Sequence, residues 1–166
     1  MLSKSPKMIH ISCHGIPNNA NTMKENYSEI KHEGDFLLFE HETLIGELIS
    51  EKSLKNLISN VWETELVFLA ACDSEFAAKI FLKKGARHVI CIKESKEVLD
   101  TAVITFTNTF YSSVFNGKSI CDAFSIAKKL TANIHTEREA SIFKLLKEAE
   151  HECIPIEFNS ESEVKF

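Results

Sequence analysis

Short, uninterrupted apolar runs alternate along the chain with longer segments whose apolar residues recur at helical spacing. The runs are MIHISC (Met8 to Cys13), DFLLFE (Asp35 to Glu40), LVFLAA (Leu66 to Ala71) and HVICI (His88 to Ile92). All have strand length, and the last two lack the polar alternation of a half-exposed strand, the pattern of strands covered on both faces in a parallel sheet. Between them, Phe76, Ile80 and Phe81 share one face of a helix that Gly85 stops. A second helix is predicted over 96–115, with Val98, Leu99, Ala102, Phe106 and Phe110 in register and Asn116-Gly117 at its end. Ser119 is placed to cap a third over 119–132, with Ile120, Ala123, Phe124 and Ala127 inward. Strands alternating with helices predict an α/β domain with a mainly parallel sheet.

Other segments are less determined. The polar stretch Pro17 to Gly34, with NNANT, reads as a long loop, and the run at Asp35 to Glu40 extends into a hairpin through His41 to Leu44. Over Gly46 to Val61, the residues Leu48, Ile49, Leu54, Leu57, Ile58 and Val61 fit one helical face after an irregular start. Ile142, Phe143, Leu145 and Leu146 suit a helix face and a buried strand equally, and periodicity leaves both open. The acidic tail 159–166 is expected to fray, so one domain spans 1–158.

Composition narrows the class of partner. With 44% hydrophobic and 26% charged residues, the 166-residue chain has the make-up of an ordinary globular domain. A net charge of -5 argues against a nucleic-acid binder, which needs a basic surface to displace phosphate counterions. No apolar run approaches the roughly 20 residues of a membrane-spanning helix, and the N-terminus has no secretory core. A cytoplasmic protein with no membrane partner is expected. The five cysteines, Cys13, Cys72, Cys91, Cys121 and Cys153, are odd in number and scattered, the usage of reduced thiols without a disulfide framework. His10, Cys13 and His14 are the nearest grouping of soft ligands and lack a fourth, so neither a metal nor a cofactor is expected. Nucleotide binding lacks its GxGxxG or GxxxxGK[ST] signature.

Ligands of open parallel sheets collect at the carboxyl ends of the strands. Two of those ends carry reactive side chains: His14-Gly15 follows the strand from Met8, and Cys72 follows the strand from Leu66. Were these strands adjacent or nearly so, both side chains would project over one sheet edge. A cysteine at a helix N-terminus forms its thiolate more readily than usual, and its backbone N-H faces a developing oxyanion. An imidazole such as that of His14 can carry a proton in acyl transfer, while Gly15 admits a close substrate and offers a second N-H. Asp73 and Ser74 are candidate helix caps and pocket residues. His10 shares a face with His14 and reads as a supporting residue; Cys13 and Cys91 read as inert core thiols. The competing reading is a buried cysteine and a hydrogen-bonded bystander histidine; only their pairing raises the case for a Cys/His acyl-transfer site.

HISCHG, DFLLFE, LVFLAACDSEFAAKIFLKKGARHVICI and VLDTAVITFTNTFYSSVFNGKSICDAFSIAK together resemble the CHAT domain, a caspase-like family in the clan of caspases, separase and metacaspases. The resemblance runs from about Met8 to Lys129. It implies a three-layer caspase-haemoglobinase fold with helices on both faces, a late strand at Ser141 to Leu146, and a catalytic dyad of His14 and Cys72 with an oxyanion hole at Gly15 and Cys72. The implied activity is cysteine endopeptidase action on a polypeptide substrate in regulated proteolysis or signalling. The alternative is an inactive interaction module. Clan members carry a strand-helix unit ahead of the histidine strand, and here Met8 lies near the start; a fragment, or another chain completing the sheet, is expected. Arginine- or lysine-specific relatives often place an aspartate two residues before the nucleophile, where this chain has Ala70.

Overall fold

Strand β5 (Leu66–Ala70) runs through the interior of a four-stranded sheet, and Leu66 to Leu69 are fully buried. In the computed structural model, which describes residues 6–16, 35–40, 46–58, 64–93, 99–148 and 151–158, β5 lies between β1 (Met8–Ser12) and β6 (His88–Ile92), parallel to both. β7 (Phe143–Lys147) pairs antiparallel with β6, giving the order β1-β5-β6-β7. Every residue of β6 is buried, as the unbroken apolar runs predicted.

Two cores flank this sheet because alternate side chains point to opposite faces. On one face, Val67, Leu69, Val89 and Cys91 pack with Leu54 of α1 (Glu51–Leu57) and Ala77, Ala78 and Phe81 of α2 (Glu75–Lys83). On the other, Phe68, Ile90 and Ile92 meet Phe106 and Phe110 of α3 (Asp100–Phe115) and Ile120, Ala123 and Ala127 of α4 (Ile120–Ile134). The result is the expected α/β arrangement of helix, mostly parallel sheet and helix. Phe106 anchors the second core: its ring stacks on Phe143 with centroids 3.8 Å apart and lies 6.1 Å from Phe68.

Helix ends follow local chemistry. Gly85, with φ of 104°, follows α2, and Gly117, with φ of 80°, follows α3. The Ser119 hydroxyl accepts the Asp122 N-H and starts α4, as the sequence predicted.

Four expectations need correction or completion. The first run is not one strand: β1 ends at Ser12, and the backbone re-enters a separate antiparallel sheet as β2 (His14–Ile16), paired with β3 (Phe36–Glu40). Gly46–Ser50 is not an irregular helix start but strand β4, whose Ile49 pairs with Leu37 in the core; the helix begins only where the Ser50 hydroxyl caps Ser53. The expected hairpin at His41 to Leu44, the residue Val61, the helix start at 96–98, the loop 17–34 and the tail 159–166 lie outside the described residues. The ambiguous late segment divides into a short helix, α5 (Glu137–Ser141), and then β7, because pairing with β6 covers Phe143. The cysteines are not all free thiols: Cys121, in the first turn of α4, is bonded to Cys153 with their Cα atoms 5.8 Å apart. Here a bridge between Ser119 and Pro155 brings the C-terminal segment onto α4, a proximity invisible at a separation of 32 residues. Cys13 and Cys91 do behave as core thiols; burial pushes them up to about 11 and about 12.

No described helix is long and apolar enough to cross a membrane. Phe106→Ala is expected to cost about 3–5 kcal/mol through its cavity. Ile134→Ala, on the exposed side of α4, should stay within about 0.5 kcal/mol. Urea denaturation of the two variants measures the difference.

Candidate active site

The carboxyl end of β5 turns sharply through Ala71, Cys72, Asp73 and Ser74 before α2 begins. Asp73 holds this turn in the left-handed region, with φ of 50°, a conformation that aspartate adopts more readily than most residues. Ser74 fixes it to the neighbouring strand: its N-H donates to the Ile92 carbonyl at 3.2 Å, and its hydroxyl accepts the Ile92 N-H at 3.1 Å. Ser74 is fully buried, so its hydroxyl ties the turn to β6 and does not face a substrate. It occupies the N-cap position of α2 without a side-chain cap bond.

On the adjacent strand, Cys13 marks the crossing from one sheet to the other. Its N-H donates to the Ala70 carbonyl at 3.4 Å, the last tie to β5 before His14 and Gly15 enter β2. Gly15 then lies directly on the Cys72 backbone. A Cβ at Gly15 would stand 1.4 Å from the Cys72 carbonyl oxygen and 3.3 Å from its Cα, so only glycine permits this approach.

His14, Gly15 and Cys72 line one cavity of about 620 Å³ at this end of the sheet. β3 contributes Leu38 and Phe39, and α3 contributes Val103, Ile104 and the carboxylate of Asp100. These residues were not singled out in the sequence. Asp100 and Val103 fall in a predicted helix, but nothing in its periodicity says that its first turns overhang the end of another strand.

Three other sequence candidates stand apart. The His10 Nδ1 is 2.7 Å from the Tyr111 hydroxyl, and its ring stacks on Phe68 with centroids 5.0 Å apart. Burial lowers its pKa, and it joins β1 to α3 as a packing residue. The crossing at Cys13 breaks the strand alternation that had put His10 and His14 on one face. Asp73 is buried and borders a different cleft, beside α2, with Glu75 and Lys79. Ser74 is inside the fold, as above.

The electrostatics of Cys72 depart from expectation. Its pKa lies above the ordinary thiol value, first because of desolvation and then because Asp73 and Asp100 carry negative charge nearby. A backbone hydrogen bond opposes this without reversing it. The predicted helix-dipole activation fails because α2 starts at Glu75, leaving Cys72 in the turn outside the first helical residues. The surroundings of Cys72 therefore favour its thiol over its thiolate.

Gly15→Ala is expected to destabilise the fold by about 1–3 kcal/mol, since backbone must move to admit the methyl group. Gly46→Ala meets the Leu38 side-chain tip at 2.4 Å instead of backbone, and should cost less in the same chemical denaturation.

Comparison with known proteins gives the family. A family model described as CHAT domain matches residues 1–143, while no curated protein matches the chain. The matched span contains β1, β5 and β6, and His14 and Cys72 fall within it. By that match over most of its length, the chain belongs to the CHAT domain family, a caspase-like peptidase family.

Proposed function

We propose that this domain is a caspase-like cysteine endopeptidase, with His14 and Cys72 as its dyad and a polypeptide as its substrate. The observation that carries this reading is the contact between Gly15 and the Cys72 backbone, which puts the residue after His14 against the nucleophile in a shared cavity. Because its surroundings disfavour the Cys72 thiolate, attack requires a base. His14 takes the thiol proton as Sγ bonds to the scissile carbonyl carbon, and the backbone N-H groups of Cys72 and Gly15 hold the oxyanion. His14 passes that proton to the leaving amine as the C-N bond breaks, leaving a thioester. Water then adds with His14 as base, and the proton returns to sulfur as the acid departs.

The cavity favours an extended peptide with apolar side chains against Leu38, Phe39 and Ile104. β1 has β5 on one side and, among the described residues, no strand on the other. An upstream segment or another chain pairing there would complete the sheet and protect that edge. Regulated proteolysis in the cytoplasm is the setting this reading assigns.

The raised Cys72 pKa also favours a second reading, in which the domain keeps the fold as an interaction module without peptidase turnover. A peptide ketone that alkylates catalytic thiols separates the two. The peptidase reading expects labelling of Cys72, its loss in Cys72→Ala, and a rate reduced about 10²–10⁴-fold in His14→Ala. A folded wild-type chain left unlabelled would sink it.

The pH dependence of iodoacetamide alkylation, resolved at Cys72 by peptide mass spectrometry, reads the electrostatics. Thiolate reactivity should rise only above the range of an ordinary cysteine, about 8.5. Asp100→Asn removes a charge that disfavours the thiolate, so the rise should move to lower pH.

A further inference from the structure

At the amino ends of the parallel strands, away from the Cys72 cavity, a second group of reactive side chains converges. His88 is the first residue of β6 and is buried. Its Nδ1-H donates to the Glu65 carbonyl at 3.0 Å, which leaves the Nε2 lone pair facing the Cys153 sulfur at 3.4 Å. Ligand atoms of His88, Cys121 and Cys153 all lie within 4.8 Å of one another. A tetrahedral zinc site, with bonds of about 2.0–2.3 Å, spaces its donors by roughly 3.3–3.8 Å; the His88 Nε2 already stands at that spacing from the Cys153 sulfur, and the two sulfurs, bonded to each other here, move apart to it once reduced.

A fourth donor stands beside His88, grouped with it and Glu65 and not with the two sulfurs, so its ring turns toward them to complete the set. The His151 ring meets that of His88 edge-on, with centroids 5.0 Å apart, and its Nε2 is buried with no hydrogen-bond partner among the described residues. Glu65 is 3.8 Å from that nitrogen, but its carboxylate is already held by Arg87 at 2.6 Å. Arg87 thus neutralises Glu65 and leaves the His151 nitrogen with no hydrogen bond to give up on binding a metal. An imidazole whose other ring nitrogen is anchored to a backbone carbonyl, as in His88, is the usual form of a metal-ligating histidine.

We propose that Cys121, Cys153, His88 and His151 form a structural zinc site when the two cysteines are reduced, and that the disulfide is its metal-free, oxidised form. Two thiolates and two imidazoles in a closed set suit zinc better than calcium or magnesium, which take oxygen ligands. The exchange balances: two molecules of a small thiol reduce the disulfide, giving two protein thiols and one small-molecule disulfide. Zn²⁺ then replaces both thiol protons. In either state the segment 151–158 stays stapled to α4 and the foot of β6, by sulfur-sulfur bonding in one and by metal in the other. The site does not depend on the peptidase reading. Its only contiguous cue in the sequence is His151-Glu152-Cys153; His88 and Cys121 join it through the fold.

Anaerobic titration of the reduced, metal-free full chain with Co²⁺ tests this. One equivalent should produce visible bands of tetrahedral cobalt and thiolate-to-cobalt charge transfer, and Zn²⁺ should abolish both. Cys153→Ser, at a half-buried position, should lose the stoichiometric signal while circular dichroism shows a folded chain; His151→Ala should weaken binding at least about 10-fold. Cys13→Ser should bind normally, and oxidised wild-type chain should take up cobalt only after reduction. Failure of the folded, reduced chain to bind one equivalent overturns the proposal. Binding that is unchanged by Cys153→Ser or by prior oxidation overturns it too.

Discussion

The burial of β5 on both faces is the constraint on which the rest of this domain depends. Leu66 to Leu69 expose nothing to solvent, so both sides of the sheet must be covered: α1 and α2 lie on one, α3 and α4 on the other. A strand enclosed in this way can turn only at its ends. Its carboxyl end becomes the turn that carries Cys72, held to β6 by both backbone and side chain of Ser74. Parallel pairing with β1 brings the crossing at Cys13 to the same edge, and so delivers Gly15 onto Cys72. The site is a consequence of where an apolar strand had to stop.

That placement has an electrostatic cost. The same turn that exposes Cys72 puts Asp73 beside it, and the first turn of α3 adds Asp100, so the thiolate is disfavoured instead of being stabilised by a helix dipole. On the proposed peptidase reading, Cys72 depends on a base for deprotonation at the moment of attack, more than a cysteine that rests as a thiolate. The geometry supports chemistry; the charges decide how much of it is available at rest.

The two ends of the sheet divide the labour. Access belongs to the carboxyl end, where a cavity opens between β3 and α3. The amino end is cross-linked: Cys121 to Cys153, Arg87 to Glu65, and the Lys7 carbonyl to the N-H groups of Glu65 and Leu66. Holding the amino ends of β1, β5 and β6 in register also holds their carboxyl ends, because a strand transmits displacement along its length.

Much of this was written in local pattern. Unbroken apolar runs identified β5 and β6, helical spacing identified α2, α3 and α4, and Ser119 and Gly117 marked their boundaries. His14 and Cys72 were legible as strand-end residues because the side chains that follow a buried strand must lie at a sheet edge. What periodicity could not supply was pairing. β4 carries too few residues to separate strand from helix, and it became a strand only by bonding to β3; the segment around Phe143 was decided in the same way by β6. Nor could local sequence report the charge around Cys72, since Asp100 reaches it from another helix, or the meeting of His88, Cys121 and Cys153 from three distant points. Burial is a property each segment declares for itself, through its own side chains. Contact between segments depends on the register of the whole sheet, and only the folded chain has one.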